Sequence, residues 1–159
     1  MIKRSEKLAF MQVTEGENKV FKRMTGFTEL SVSKNPKEYS RKYIDEDMER
    51  SAVVGYAPAI SYKFDVEPGN SVHNVFCNVA DRELTGADTE CTIVIADISS
   101  CDENGKCKAV MRPFSIIPSG EGDDTDTYTC SGSLRAAGEK QFGTATSDDE
   151  WQTITFTEE

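Results

Sequence analysis

The 159-residue chain contains a single histidine, His73, and a single tryptophan, Trp151. With one imidazole and no recognisable spacing that sets a nucleophile and an orienting acid beside it, Ser-His-Asp or Cys-His chemistry has no footing. His73 reads instead as a lone surface histidine or a satisfied structural one. One histidine and no Cys-x-x-Cys pair also leave too few ligands for a structural zinc site, so neither a metal nor another cofactor is expected. No phosphate cradle is present either: "SGEGDD" lacks the lysine and the strand-loop-helix setting, and its acids repel phosphate. The carboxylates gather in runs such as "GEGDDTD", "SDDE" and "EDMER", the pattern of solvated loops rather than of a paired general acid and base. These absences argue against an enzyme.

Long apolar runs are missing as well. Nothing approaches the ~18 apolar residues of a membrane helix, and the opening "MIKRSEKLAFMQV" is too short and too mixed for the apolar stretch of a signal peptide. The expectation is a soluble product made in the cytoplasm. The five cysteines, Cys77, Cys91, Cys101, Cys107 and Cys130, are an odd number without a dense framework and read as reduced, partly buried thiols. Cys101 and Cys107 bracket a turn in "CDENGKC", and their spacing allows a bridge or two free thiols; geometry decides between them. The acids of that loop do not follow the alternating ligand positions of a calcium loop.

Basic residues are scarce beyond the first third of the chain. Residues 1–50 hold 11 Lys and Arg against 9 Asp and Glu, whereas residues 51–159 hold 7 against 19, and the formal net charge is −10. An acidic body repels phosphate backbones, which argues against ordinary nucleic-acid binding.

The length suits one domain. Residues 1–19 show no sustained period and are read as an N-terminal arm or an irregular first strand, ahead of a single domain over residues 20–159. "VFKRMTGFTELSVS" alternates Thr28, Leu30 and Val32 against Glu29, Ser31 and Ser33, a half-buried strand with a bend or bulge at Gly26. "SAVVGYAPAISYKFDVEPGN" alternates more cleanly, with Ile60, Tyr62, Phe64 and Val66 opposite Ser61, Lys63, Asp65 and Glu67, and its strand ends at Pro68-Gly69. In "NSVHNVFCNVADRELTG" the period changes: Val72, Val75, Phe76 and Val79 predict a helix of about three turns, capped by Asn70 or Ser71 and ended before Gly86. "CTIVIADI" and "KAVMRPFSII" form a predicted β-hairpin around Asn104-Gly105, and "YTCSGSL" and "WQTITFT" two later strands, with "PSGEGDDTDT" as a solvated loop. Six or seven strands and one helix point to a mainly β protein, a β-sandwich or barrel with the helix packed on it.

Between two strand-like runs lies "SKNPKEYSRKYIDED", polar, charged and bearing two tyrosines. Together with "MTGFTELSVS" before it, "VVGYAPAISYKFD" and "GNSVHNVFCNVADRELTG" after it, and "GTATSDDEWQTITFT" at the end, this stretch resembles the tail tube (major tail) proteins of tailed bacteriophages and tailocins of Gram-positive bacteria. The likeness runs in order over residues 20–157. It implies a β-sandwich flanked by a helix, whose subunits form hexameric rings stacked into a hollow tube, a conduit for DNA or ions, made in the host cytoplasm and ending in the virion or tailocin tail. The implied partners are the chain itself, tape measure, baseplate and terminator proteins, a sheath where the tail contracts, and genomic DNA in transit only. An acidic lumen then lets the duplex slide.

Under that resemblance residues 33–50 are expected to form an inter-subunit arm, with Asn35, Pro36, Tyr39, Arg41, Tyr43, Asp45 and Glu46 at the interface. A second reading stays open: Asn35-Pro36 also suits the start of a helix that carries Tyr39, Tyr43 and Ile44 over the subunit's own core. A monomeric β-sandwich binding or adhesin module is the alternative for the whole chain. It would want an exposed aromatic patch, and Trp151 is expected to open a core strand instead.

Overall fold

The computed structural model describes the whole chain, Met1–Glu159. In order it forms β1 (Lys7–Glu15), β2 (Asn18–Arg23), β3 (Phe27–Ser33), β4 (Pro36–Arg41), β5 (Arg50–Tyr56), β6 (Ala59–Asp65), α1 (Ser71–Asp81), β7 (Glu90–Asp97), β8 (Cys107–Glu121), β9 (Thr129–Ala136), β10 (Gln141–Thr146) and β11 (Thr153–Glu158). Six antiparallel strands, β1, β7, β8, β10, β11 and β2, close into a barrel, as the mainly β reading with one flanking helix expects. From β8 the sheet continues outward through β9 and β6 to β3, which is its free edge.

Closure depends on the length of β8, whose fifteen residues serve two neighbours along one edge. Cys107–Met111 pair with β10 and complete the barrel, while Phe114–Glu121 pair with β9 and begin the wing. The other edge of β8 pairs continuously with β7. The barrel interior takes one side chain in two from each strand: Phe10 and Leu8 from β1, Val94 and Ala96 from β7, Ala109 from β8, Ala145 from β10 and Ile154 from β11. Three of these are alanines because a six-stranded barrel is narrower than the eight-stranded ones whose interiors larger side chains fill. Gly143 on β10 shows the limit, since a Cβ there would come within 2.7 Å of the Phe156 ring and meet the Thr157 carbonyl.

The opposite face of the same strands carries a second core. Met11 and Val13 of β1, Ile93 of β7 and Phe114 and Ile116 of β8 join Tyr62 and Phe64 of β6 and the buried stripe Val72, Phe76 and Val79 of α1. The helix starts where Asn70 Oδ1 accepts the Val72 and His73 N–H groups at 3.0 and 3.2 Å. It ends before Gly86, after the expected three turns, where Glu83 takes a left-handed backbone with φ 49°. Gly26, φ 77°, turns the chain into β3, and a Cβ there would lie 3.0 Å from the His73 ring.

Several segments differ from the sequence reading. Residues 1–19, expected to be an N-terminal arm or an irregular first strand, hold the first strand, and it is regular: β1 has Phe10 and Met11 both fully buried, one on each side of the sheet. A strand buried on both faces has no alternation to see, and "LAFM" reads as a plain apolar run. β10 lies within "RAAGEKQFGTATSDDE", between the last two predicted strands, where no strand is predicted because its Gly, Ala and Thr residues carry too little apolar contrast to mark a period. "PSGE" belongs to β8, and the solvated loop begins only at Gly122. Trp151 does not open the last strand. It sits in the turn before it with φ 65°, packed against the barrel core. Asn104-Gly105 lies in the turn between β7 and β8, where Cys101 and Cys107 are paired as a disulfide.

Candidate functional site

The chain leaves the wing at Asn35, whose left-handed backbone, φ 45°, is one that asparagine tolerates better than most residues. Its Nδ2 donates to the Ala57 carbonyl at 3.0 Å and its own carbonyl accepts the Ala57 N–H at 3.2 Å. These two bonds tie the base of a hairpin. From there β4 and β5 run out as a separate two-stranded sheet, paired from Pro36↔Tyr56 at the base to Arg41↔Arg50 near the tip. Pro36 fits because a first residue on an edge strand has no ladder bond to lose. The helix reading of this segment is thereby overturned: residues 36–41 are extended, and Tyr39, Tyr43 and Ile44 are exposed rather than packed on the core.

Register assigns the side chains to two faces. Lys37, Tyr39, Arg41, Arg50 and Ala52 share one, a basic face with an aromatic at its centre; Pro36, Glu38, Ser40, Ser51, Val53 and Tyr56 share the other. A bulge between Lys37 and Glu38 separates the base pairing from the rest. On the basic face the Arg41 guanidinium lies over the Tyr39 ring, 5.0 Å from its centroid, and Arg41 Nε donates to the Tyr39 hydroxyl. At the tip, Arg50 grips the Glu46 carboxylate through two bonds of 2.6 and 2.7 Å. The hydroxyls of Ser40 and Ser51 bond across the strands at 2.9 Å.

Of the seven residues expected at an interface, Tyr39 and Arg41 are brought together, Asn35 and Pro36 stand at the base, and Tyr43, Asp45 and Glu46 lie in the tip turn. The surface also includes residues that the sequence reading left out, Val53, Val54 and Tyr56 of β5, which are exposed by 51%, 66% and 62%. Their signal was present in "AVVGY", a short β-branched run following a charged turn.

Every residue of β4 and all of β5 except Gly55 is exposed on both sides. A lone two-stranded hairpin is at best marginally stable in water, and its surface pairs add little, since exposed ion pairs contribute roughly 0.2–1 kcal/mol. Val53, Val54, Tyr56, Tyr43, Ile44 and Met48 therefore stand in solvent without the packing that normally accompanies such side chains. The hairpin offers contact area and charge, and no arrangement for bond making.

The residues with chemical potential are elsewhere and are occupied. His73 is fully buried; its Nδ1 accepts the Glu67 N–H at 3.1 Å, and its Nε2 lies 2.7 Å from the Thr25 carbonyl. Because a carbonyl only accepts, the proton sits on Nε2, and both ring nitrogens are used by backbone. The ring also stacks on Phe64 at 4.4 Å. Burial pushes the thiols of Cys91 and Cys130 up to about 12, which keeps them protonated and inert. Asp149, in the turn before β11, is held down at about 2, chiefly by the Thr153 hydroxyl at 2.6 Å, then by the Thr153 N–H and the Ser147 hydroxyl.

The fold has a counterpart among solved structures. It matches a chain in the six-fold symmetrised cryo-EM structure of the anti-feeding prophage baseplate, with a TM-score of 0.53 and 13% sequence identity. The fold is shared with a prophage baseplate chain. The match covers 86% of this chain and 91% of that one. No protein-family model matches the sequence, and no curated protein does.

Proposed function

We propose that this protein is a structural subunit of a phage-like tail, assembling through its hairpin into hexameric rings that stack into a hollow tube. The observation that carries the reading is the near end-to-end likeness to a chain of a six-fold symmetrised prophage baseplate. The resemblance of residues 20–157 to the tail tube proteins of phages and tailocins of Gram-positive bacteria supports the tube in particular. Two physical features agree with it. The hairpin of residues 33–56 is an exposed, partly apolar extension that a monomer has no use for. The acidic body, with 19 carboxylates against 7 cations over residues 51–159, suits a wall past which a duplex slides without sticking. Partners under this reading are further copies of the chain, the tape measure, baseplate and terminator proteins at the ends, a sheath if the tail contracts, and DNA only in passage.

In this reading Tyr39 and Tyr43 anchor one subunit on the next, with Arg41, Asp45 and Glu46 around them. Negative-stain microscopy and size-exclusion chromatography of the purified protein test it. Rings or tubes are expected from the unaltered chain and single subunits from the Tyr39→Ala/Tyr43→Ala variant. A chain that stays monomeric at high concentration would point to the binding-module alternative. The baseplate origin of the matched chain favours one further reading, a single ring at the tail end, which would give rings that never stack.

A further inference from the structure

The face of the sheet that α1 covers is only partly covered. Beyond the helix the same face continues as an open groove of about 650 Å³ between the N-terminal segment and β1, β3, β6 and β7. Its floor is made by Leu30, Val32, Ile60, Ile93 and Ile95, and both Ile60 and Ile93 belong to the core under the helix. The groove is thus the core's own extension, left without a lid. Lys3, Arg4 and Lys7 form its polar rim, and no carboxylate lines it. Arg4 is held in place there, donating to the Lys7 carbonyl at 2.7 Å and to the Leu30 carbonyl at 3.2 Å.

The hairpin tip has the complementary character. Ile44 is exposed by 108% and Met48 by 78%, so neither touches its own subunit to any extent. Around them stand Asp45, Glu46, Asp47 and Glu49, of which only Glu46 is neutralised, by Arg50. The tip cannot reach its own groove: β4 runs outward from a base next to Val32, and six residues at ~3.3 Å each hold the tip roughly 20 Å away.

We propose that the groove is the seat for the hairpin tip of a second copy of this chain, with Ile44 and Met48 on its apolar floor and the free tip carboxylates against Lys3 and Lys7. Such a contact joins two different surfaces of identical subunits, so each bound tip leaves another tip and another groove free, and the contact propagates. The apolar floor supplies the attraction, and the opposed charges select the tip over the basic stem of the hairpin. This inference rests on the reading of the hairpin as the assembly arm.

The test is disulfide trapping in the full chain. With Ile44→Cys and Val32→Cys together, mild oxidation should give a ladder of covalent multimers on a non-reducing gel, and either substitution alone should give none. In parallel, Lys3→Glu/Lys7→Glu should raise the concentration needed for assembly by roughly two- to five-fold per lost pair, and Asp45→Lys/Asp47→Lys in the same chain should restore it. All four positions are exposed, and unchanged melting temperatures would separate lost docking from lost folding. If Tyr39→Ala/Tyr43→Ala blocks assembly but no ladder forms and rim reversal has no effect, the groove is overturned and the arm survives. If neither the tyrosines nor the tip matters to assembly, the arm reading falls and takes the groove with it.

Discussion

The barrel and the hairpin are built from the same element and sit at opposite extremes of the same physics. In the barrel every strand has two paired neighbours, and its small interior is filled by Phe10, Val94, Ile154 and three alanines. In the hairpin each strand has one neighbour, and neither face is covered. Burial of apolar surface, at about 25 cal/mol per Å², is what makes a sheet stable by itself. The barrel has it; the hairpin has the ladder alone. One chain therefore carries a part with its own core and a part whose apolar side chains stand in solvent.

Substitutions that should fall on one side or the other sharpen that contrast. The largest effect is expected in the barrel: Phe10→Ala removes a fully buried ring from a site with little room to collapse and should cost about 3–5 kcal/mol in denaturant unfolding. A loss under 1 kcal/mol would mean that the barrel interior is looser than described. Next comes His73→Leu, which keeps the apolar contacts but strands the Glu67 N–H and the Thr25 carbonyl. It should cost about 1–3 kcal/mol, while assembly of the folded fraction stays normal.

Acid gives a smaller, graded effect. Asp149 titrates at about 2 in the folded chain, below the ordinary carboxylate range near 4, so the folded state binds fewer protons than the unfolded one. Its contribution is complete above that range and is lost as the pH falls from about 4 through about 2. Asp149→Asn should flatten this part of the stability-against-pH curve, read from the fluorescence of Trp151, the single tryptophan, in the same turn. An unaltered slope would show that Thr153 and Ser147 do not hold the carboxylate. The smallest effect belongs to the hairpin: Val53→Ser should move the stability of the isolated subunit by no more than ~0.5 kcal/mol, because the side chain is already in water. A large loss would mean that the hairpin packs on its own body after all.

Legibility in the sequence follows the same division. β6 and α1 were readable because each has one buried and one wet face: Ile60, Tyr62 and Phe64 keep a period of two, and Val72, Phe76 and Val79 a helical one. β1 hid because it is buried on both sides, and β4 and β5 because they are buried on neither. Pattern reading detects the contrast between faces, and where the contrast vanishes the strand vanishes with it. The hairpin's aromatic and charged residues were conspicuous for a different reason: tyrosines and arginine in a stretch with no core to fill stand out wherever the backbone goes. What the sequence could not show was that Val53 and Tyr56 pair with Glu38 and Pro36, on the face opposite Tyr39 and Arg41, since that depends on register.

β8 has a mechanical consequence. A force applied at β3 or at the hairpin beyond it is handed through β6 and β9 to the outer half of β8, and the inner half of that same strand is a stave of the barrel. Between wing and barrel there is no loop to act as a hinge. Tension or torque applied to the wing thus enters the barrel along one uninterrupted backbone, and a fold so constructed passes strain on as a stiff body instead of absorbing it in a joint.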